Sequence, residues 1–110
     1  MTDVLVDGRS VAPLEIAATA RSRGKGLLGR TGVEGAFWLK PCRHVHSIRM
    51  KFAIDIAGLD RTGTVIAVQT LPPNRFARFH WRTRSVLEAE AGAFADWGVV
   101  PGVVISASAA

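Results

Sequence analysis

Apolar and polar positions along this chain fall mostly into short runs of strand length, several alternating with a period of two, separated by turn residues. Val4-Leu5-Val6 and the apolar run 11–18 flank Asp7-Gly8-Arg9-Ser10, a turn composition that predicts a first pair of strands or one bent ribbon. Thr19 is placed to cap a short helix over 20–28. Gly24 and Gly26 there each cost about 1 kcal/mol against alanine, so packing through Leu27 and Leu28 has to hold it. After a loop at 31–35, Ala36-Phe37-Trp38-Leu39 reads as a short strand that ends before Pro41, which offers no ladder donor.

In the next stretch Ile48, Met50 and Phe52 alternate with Arg49 and Lys51, and Ile54, Ile56 and Leu59 carry the extended pattern to Asp60. Asp60-Arg61-Thr62-Gly63 predicts a turn with glycine where a positive φ is needed, and the Val- and Ile-rich segment 64–71 returns as the partner strand of a hairpin. Pro72-Pro73-Asn74 stops it. Residues 75–84 read as a loop in which arginines are interleaved with Phe76, Phe79, His80 and Trp81. A strand at 85–89, a short helix at 91–97 stopped by Gly98, a turn at 99–102 and a last strand at 103–105 complete the chain, with 106–110 expected to fray. Strands outnumber helices and the turns join near neighbours. The expectation is one mainly β (α+β) domain over 1–110, a curved antiparallel sheet or small barrel-like sandwich with one or two short helices.

Composition agrees with a folded domain: 48% of the 110 residues are hydrophobic and 21% charged, and a chain this long buries roughly two-thirds of its unfolded surface. Cys42, the only cysteine, cannot form an internal disulfide, which points to the cytoplasm. The acidic start, residues 1–8, lacks a sustained apolar run, so neither a signal peptide nor a membrane partner is expected. Fourteen Lys and Arg against nine acids give a formal charge of +5, drawn from Arg21, Arg23, Lys25 and Arg30, from 40–51, and from Arg75, Arg78, Arg82 and Arg84. Such an excess serves solubility on its own, and it also makes anionic partners the electrostatically favoured class.

The order of motifs is specific. Arg23-Gly24-Lys25-Gly26-Leu27-Leu28-Gly29-Arg30 is followed by His46-Ser47-Ile48-Arg49-Met50, by Ile54-Asp55-Ile56 with Asp60-Arg61-Thr62-Gly63, by Pro72-Pro73, and by Val86-Leu87-Glu88 with Ala91-Gly92. From about residue 14 to 105 this resembles the domain of unknown function 192 family. The resemblance implies a compact, mainly β fold without an established activity, and a recurrent polar set at His46, Met50, Asp55 and Asp60 with Arg30. The chain departs from that pattern at Ala57-Gly58 and in the arginine–aromatic loop after Pro73.

Several residue groups carry candidate chemistry. His44 and His46 share one face of an extended segment, a spacing able to ligate zinc or copper. No second Cys/His pair exists to complete a closed site, so neither metal nor cofactor is expected. Cys42 beside Arg43, His44 and His46 could be written as nucleophile and base, but no oxyanion donor accompanies it and a small buried cysteine is the default. Asp55, between Ile54 and Ile56 and beside Ala57, needs Arg49, Lys51 or a backbone donor if it is buried. Asp60 reads as a turn residue capping the Thr62 or Gly63 amide. The loop 75–84 offers guanidinium and ring surfaces of the kind single-stranded nucleic acid requires, and equally the makings of a lid over the core.

The first-ranked reading is a small non-enzymatic domain binding an unidentified small or anionic ligand near residues 44–55, with His46, Arg49, Met50, Asp55 and Trp81 as candidate contacts. Single-stranded nucleic-acid binding through 75–84, and an enzyme using Asp55 and His46, rank below it.

Overall fold

The structure is a computed structural model that describes residues 2–17, 35–46 and 52–108. The expected helix at 20–28, the first basic cluster and the candidates Arg49 and Met50 lie outside the described residues. The strands are β1 (Asp3–Val6), β2 (Arg9–Ala17), β3 (Ala36–Leu39), β4 (His44–His46), β5 (Ile54–Leu59), β6 (Val65–Leu71), β7 (Phe76–Arg78), β8 (Ser85–Glu90) and β9 (Ile105–Ala107), with one described helix, α1 (Ala93–Trp97). Seven strands form a sheet in the order β6-β5-β8-β3-β2-β1-β9, and β4 pairs with β7 as a separate two-stranded ribbon.

Two hairpins follow directly from turn chemistry. Asp7 and Gly8 both take positive φ, 50° and 85°, the geometry that suits a tight connection between the twisted strands β1 and β2. Between β5 and β6, Asp60 Oδ1 accepts from the Thr62 amide at 2.9 Å, the Thr62 hydroxyl at 2.7 Å and the Thr64 amide at 3.1 Å. Gly63 in that turn is buried at φ 86°, and a Cβ there would strike the Ile105 carbonyl oxygen. The same point joins the two ends of the sheet: Ile105 N donates to Gly63 O at 2.8 Å, and Thr64 bridges Val104. The sheet therefore curls until the approach to β6 meets the approach to β9.

Two features depart from the expected antiparallel sheet with a free tail. β2 and β3 run parallel, with Leu14 opposite Ala36, because the chain between them is long enough for a crossover, whereas a hairpin would reverse it. The last strand falls at 105–107, three of whose residues pair with β1. Ser108 then exchanges bonds with Asp3, its Oγ accepting from Asp3 N at 2.8 Å and its amide donating to Asp3 O at 2.9 Å. The edge of β1 offers unmet backbone groups, so the expected fraying does not hold through Ser108.

The central strands β3, β5 and β8 are buried on both faces. One face packs Trp38, Ala57, Leu59, Leu87 and Ala89 with Val4, Phe94 and Ile105. The other packs Phe37, Leu39, Ile54, Ile56 and Val86 beneath Ala77 of β7 and Phe79. Burying Asp55 requires full hydrogen bonding of its carboxylate. Oδ1 accepts from the Thr70 hydroxyl at 2.7 Å, and Oδ2 from the Gly92 and Phe94 amides at 2.9 and 3.1 Å. Gly92, at the helix N-cap, has no side chain to satisfy those amides, so a strand carboxylate does it. Asp55 thus ties β5 to β6 and to the start of α1, using the backbone donors that were one of its expected alternatives.

Asp55→Asn keeps the shape but turns one acceptor into a donor, leaving at least one buried donor unmet; it should lower unfolding free energy by about 1–3 kcal/mol. Urea unfolding monitored by circular dichroism checks this, and an unchanged midpoint would contradict the tie.

Candidate functional site

The loop after β7 is fixed to the rest of the molecule at several points. Phe79 N donates to Arg43 O at 3.0 Å, Cys42 N to Arg84 O at 2.9 Å and Arg84 N to Leu59 O at 2.7 Å. These bonds stitch 42–43 to the two ends of 79–84 and anchor both beside β5. Within the loop, His80 Nδ1 accepts from the Arg82 amide at 3.1 Å, and His80 O from the Thr83 amide at 2.9 Å. The segment expected as a loop over 75–84 is part strand, β7, and part hydrogen-bonded turn.

Phe79 is the packing anchor. Its ring lies on Gly58 so closely that a Cβ built on that glycine would stand 2.6 Å from the ring. The missing side chain at 58 makes room for the ring that holds the loop down.

Between these segments lies a cleft of about 760 Å³ lined by Pro41, Cys42, Arg43, Arg78, Phe79, Trp81, Thr83 and Arg84. Among the described residues its lining includes three arginines and no carboxylate. The Arg84 guanidinium is held in place by Nη1 donating to Trp81 O at 3.1 Å. Thr83 is fully buried, and its hydroxyl has no hydrogen-bond partner. Arg84 also borders two neighbouring depressions, of about 720 and 290 Å³, both of which include Asp60. There the hydrogen bond from the Thr62 hydroxyl is the chief cause holding the Asp60 carboxyl below its ordinary pKa.

Of the sequence candidates, Trp81 lines the cleft and is 66% exposed. β4 sets His44 opposite Arg78 and His46 opposite Phe76 along the ribbon. That pairing brings 44–46 alongside the arginine–aromatic segment. Asp55 is absent from the lining of all three depressions, and its carboxylate is occupied under α1. Among the described residues no group of three His, Cys, Asp or Glu could hold a metal ion, and no helix is long and apolar enough to cross a membrane.

Sequence reasoning did not select Arg43, Arg78, Thr83 or Arg84 as contacts. The arginines were visible as members of two basic clusters, but it takes the β4–β7 pairing and the Cys42–Arg84 and Phe79–Arg43 backbone bonds to merge those clusters. Nothing local distinguishes Thr83 from a surface threonine.

Gly58→Ala should force the Phe79 ring out of place and cost about 1–3 kcal/mol, the usual price of overpacking. In a double-mutant cycle the penalty should shrink when residue 79 is alanine; additive effects of the two substitutions would refute the contact.

Two solved structures share this architecture. A protein of unknown function from Novosphingobium aromaticivorans DSM 12444 aligns with a TM-score of 0.79 at 23% identity, over 94% of this chain and 82% of its own. A protein from Sinorhizobium meliloti 1021 described as a putative transcription regulator aligns with a TM-score of 0.78 at 20% identity, over 97% of this chain and 94% of its own. At these identities the likeness is one of fold. No curated protein matches the chain significantly. The family profile of domain of unknown function 192 (DUF192, "Uncharacterized ACR") matches residues 3–107, nearly the whole sequence, and the chain belongs to that family.

Proposed function

We propose that the domain binds a small anion in the cleft between 41–43 and 78–84. The observation that carries this reading is the lining itself: among the described residues it joins Arg43, Arg78 and Arg84 without a carboxylate, beside a buried threonine hydroxyl that has no partner there. Guanidinium groups give planar, charge-assisted recognition of phosphate or carboxylate oxygens. A buried hydroxyl left unbonded costs about 1–3 kcal/mol, a debt that a ligand oxygen reaching it would cancel. The site sits on backbone fixed by Phe79 and Gly58, so little ordering is needed on binding.

Calorimetric titration with pyrophosphate at low salt tests the reading. The parent should bind, more weakly as salt is raised. Arg78→Glu and Arg84→Glu should each lose on the order of tenfold or more in affinity, while Arg75→Glu, an equal charge change in the same segment but outside the cleft lining, should lose far less. Thr83→Val should weaken binding without lowering the melting temperature, because its hydroxyl has no partner to lose. Absence of binding by the parent, or equal losses in all three arginine variants, would overturn the proposal.

A further inference from the structure

We infer that the anion is the phosphate of a mononucleotide whose base stacks on Trp81; this rests on the anion-binding reading above. Trp81 leaves 66% of its surface in water while lining the same cleft as Arg43, Arg78 and Arg84. A large ring is ordinarily hidden, and here the backbone that carries it is not free to hide it. Its carbonyl accepts from Arg84 Nη1, and the turn beyond it is held by the two bonds to His80. The indole therefore stands in a fixed, solvated position at the rim of a cationic cleft.

The surroundings of the ring suit a nucleobase. His80 lies 5.3 Å away at an interplanar angle of 32°, and the Arg82 guanidinium lies 5.7 Å from the indole centroid. Such ring and guanidinium surfaces stack on a planar heterocycle whatever its sequence. The cleft's volume of about 760 Å³ falls within the range, about 300–1,000 Å³, of sites that take small molecules of this size. The buried Thr83 hydroxyl belongs to the same lining and offers a further polar group to a phosphate oxygen.

A free nucleotide fits better than a polynucleotide. A terminal phosphate brings two negative charges to the arginines of the cleft, where each phosphodiester link of a strand brings one.

The test compares adenosine 5′-monophosphate, ribose 5-phosphate, adenosine and an oligoadenylate without a terminal phosphate, titrated against the parent, Trp81→Ala and Trp81→Phe. The mononucleotide should bind at least about tenfold more tightly than ribose 5-phosphate. That advantage should vanish in Trp81→Ala, persist in part in Trp81→Phe, and leave ribose 5-phosphate affinity unchanged in both. Trp81 is exposed, so both variants should fold, which their circular dichroism checks. Equal affinity for the mononucleotide and ribose 5-phosphate would overturn the base-stacking inference while leaving anion binding intact. No binding of either phosphate would sink both. Tighter binding of the oligoadenylate than of the mononucleotide would replace the nucleotide with a strand and overturn the inference.

Discussion

The contact on which the candidate site depends is the Phe79 ring lying on the bare backbone of Gly58. β5 is buried on both faces, so whatever it presents on each side is set by packing. On one side it presents Asp55, whose carboxylate gathers the Thr70 hydroxyl and the amides that open α1. On the other it presents a gap at Gly58 that only a ring can fill well. The first holds strand and helix together, and the second holds down the segment that carries Thr83, Trp81 and Arg84. A single six-residue strand thus supports the scaffold with one face and the cleft with the other.

This division of labour explains why Asp55 looked functional from the sequence. A carboxylate between isoleucines signals either a site or a buried tie, and the residues that decide between them lie far along the chain: Gly92 is 37 positions away. The turn at Asp60 was legible because everything it needs is local, a carboxylate followed two and four residues later by the amides it accepts. The β5–β6 hairpin and the stop of α1 at Gly98, with φ 76°, were readable for the same reason. The parallel pairing of β2 with β3, the antiparallel pairing of β4 with β7 and the docking of β9 on β1 were not. Each depends on which edge is left free after the other strands have paired, and no short window of sequence carries that information.

The cleft was half legible for a related reason. Trp81 stood out because an indole among arginines is unusual in a short stretch, and the basic clusters were plain from charge. Their convergence was not, because Arg43 meets Arg78 and Arg84 through long-range backbone pairing, the β4–β7 ladder and the bonds Phe79 makes to Arg43 and Cys42 makes to Arg84. Thr83 was invisible, since its significance lies in a hydrogen bond it does not make. The signal that could have pointed to the site was a glycine in an apolar strand together with a phenylalanine in a basic loop. A glycine in a strand interior often marks a close approach from elsewhere in the chain, and Phe79 is what approaches.

Arginine side-chain Nε–Hε signals followed by NMR during titration with inorganic phosphate test the cleft most directly, because each guanidinium reports for itself. The account predicts saturable shifts at Arg43, Arg78 and Arg84 together with the backbone amides of 41–43 and 78–84, while Arg9 and Arg75, outside the cleft lining, stay near their starting positions. Shifts spread evenly over all the arginines, or concentrated away from the cleft, would contradict it.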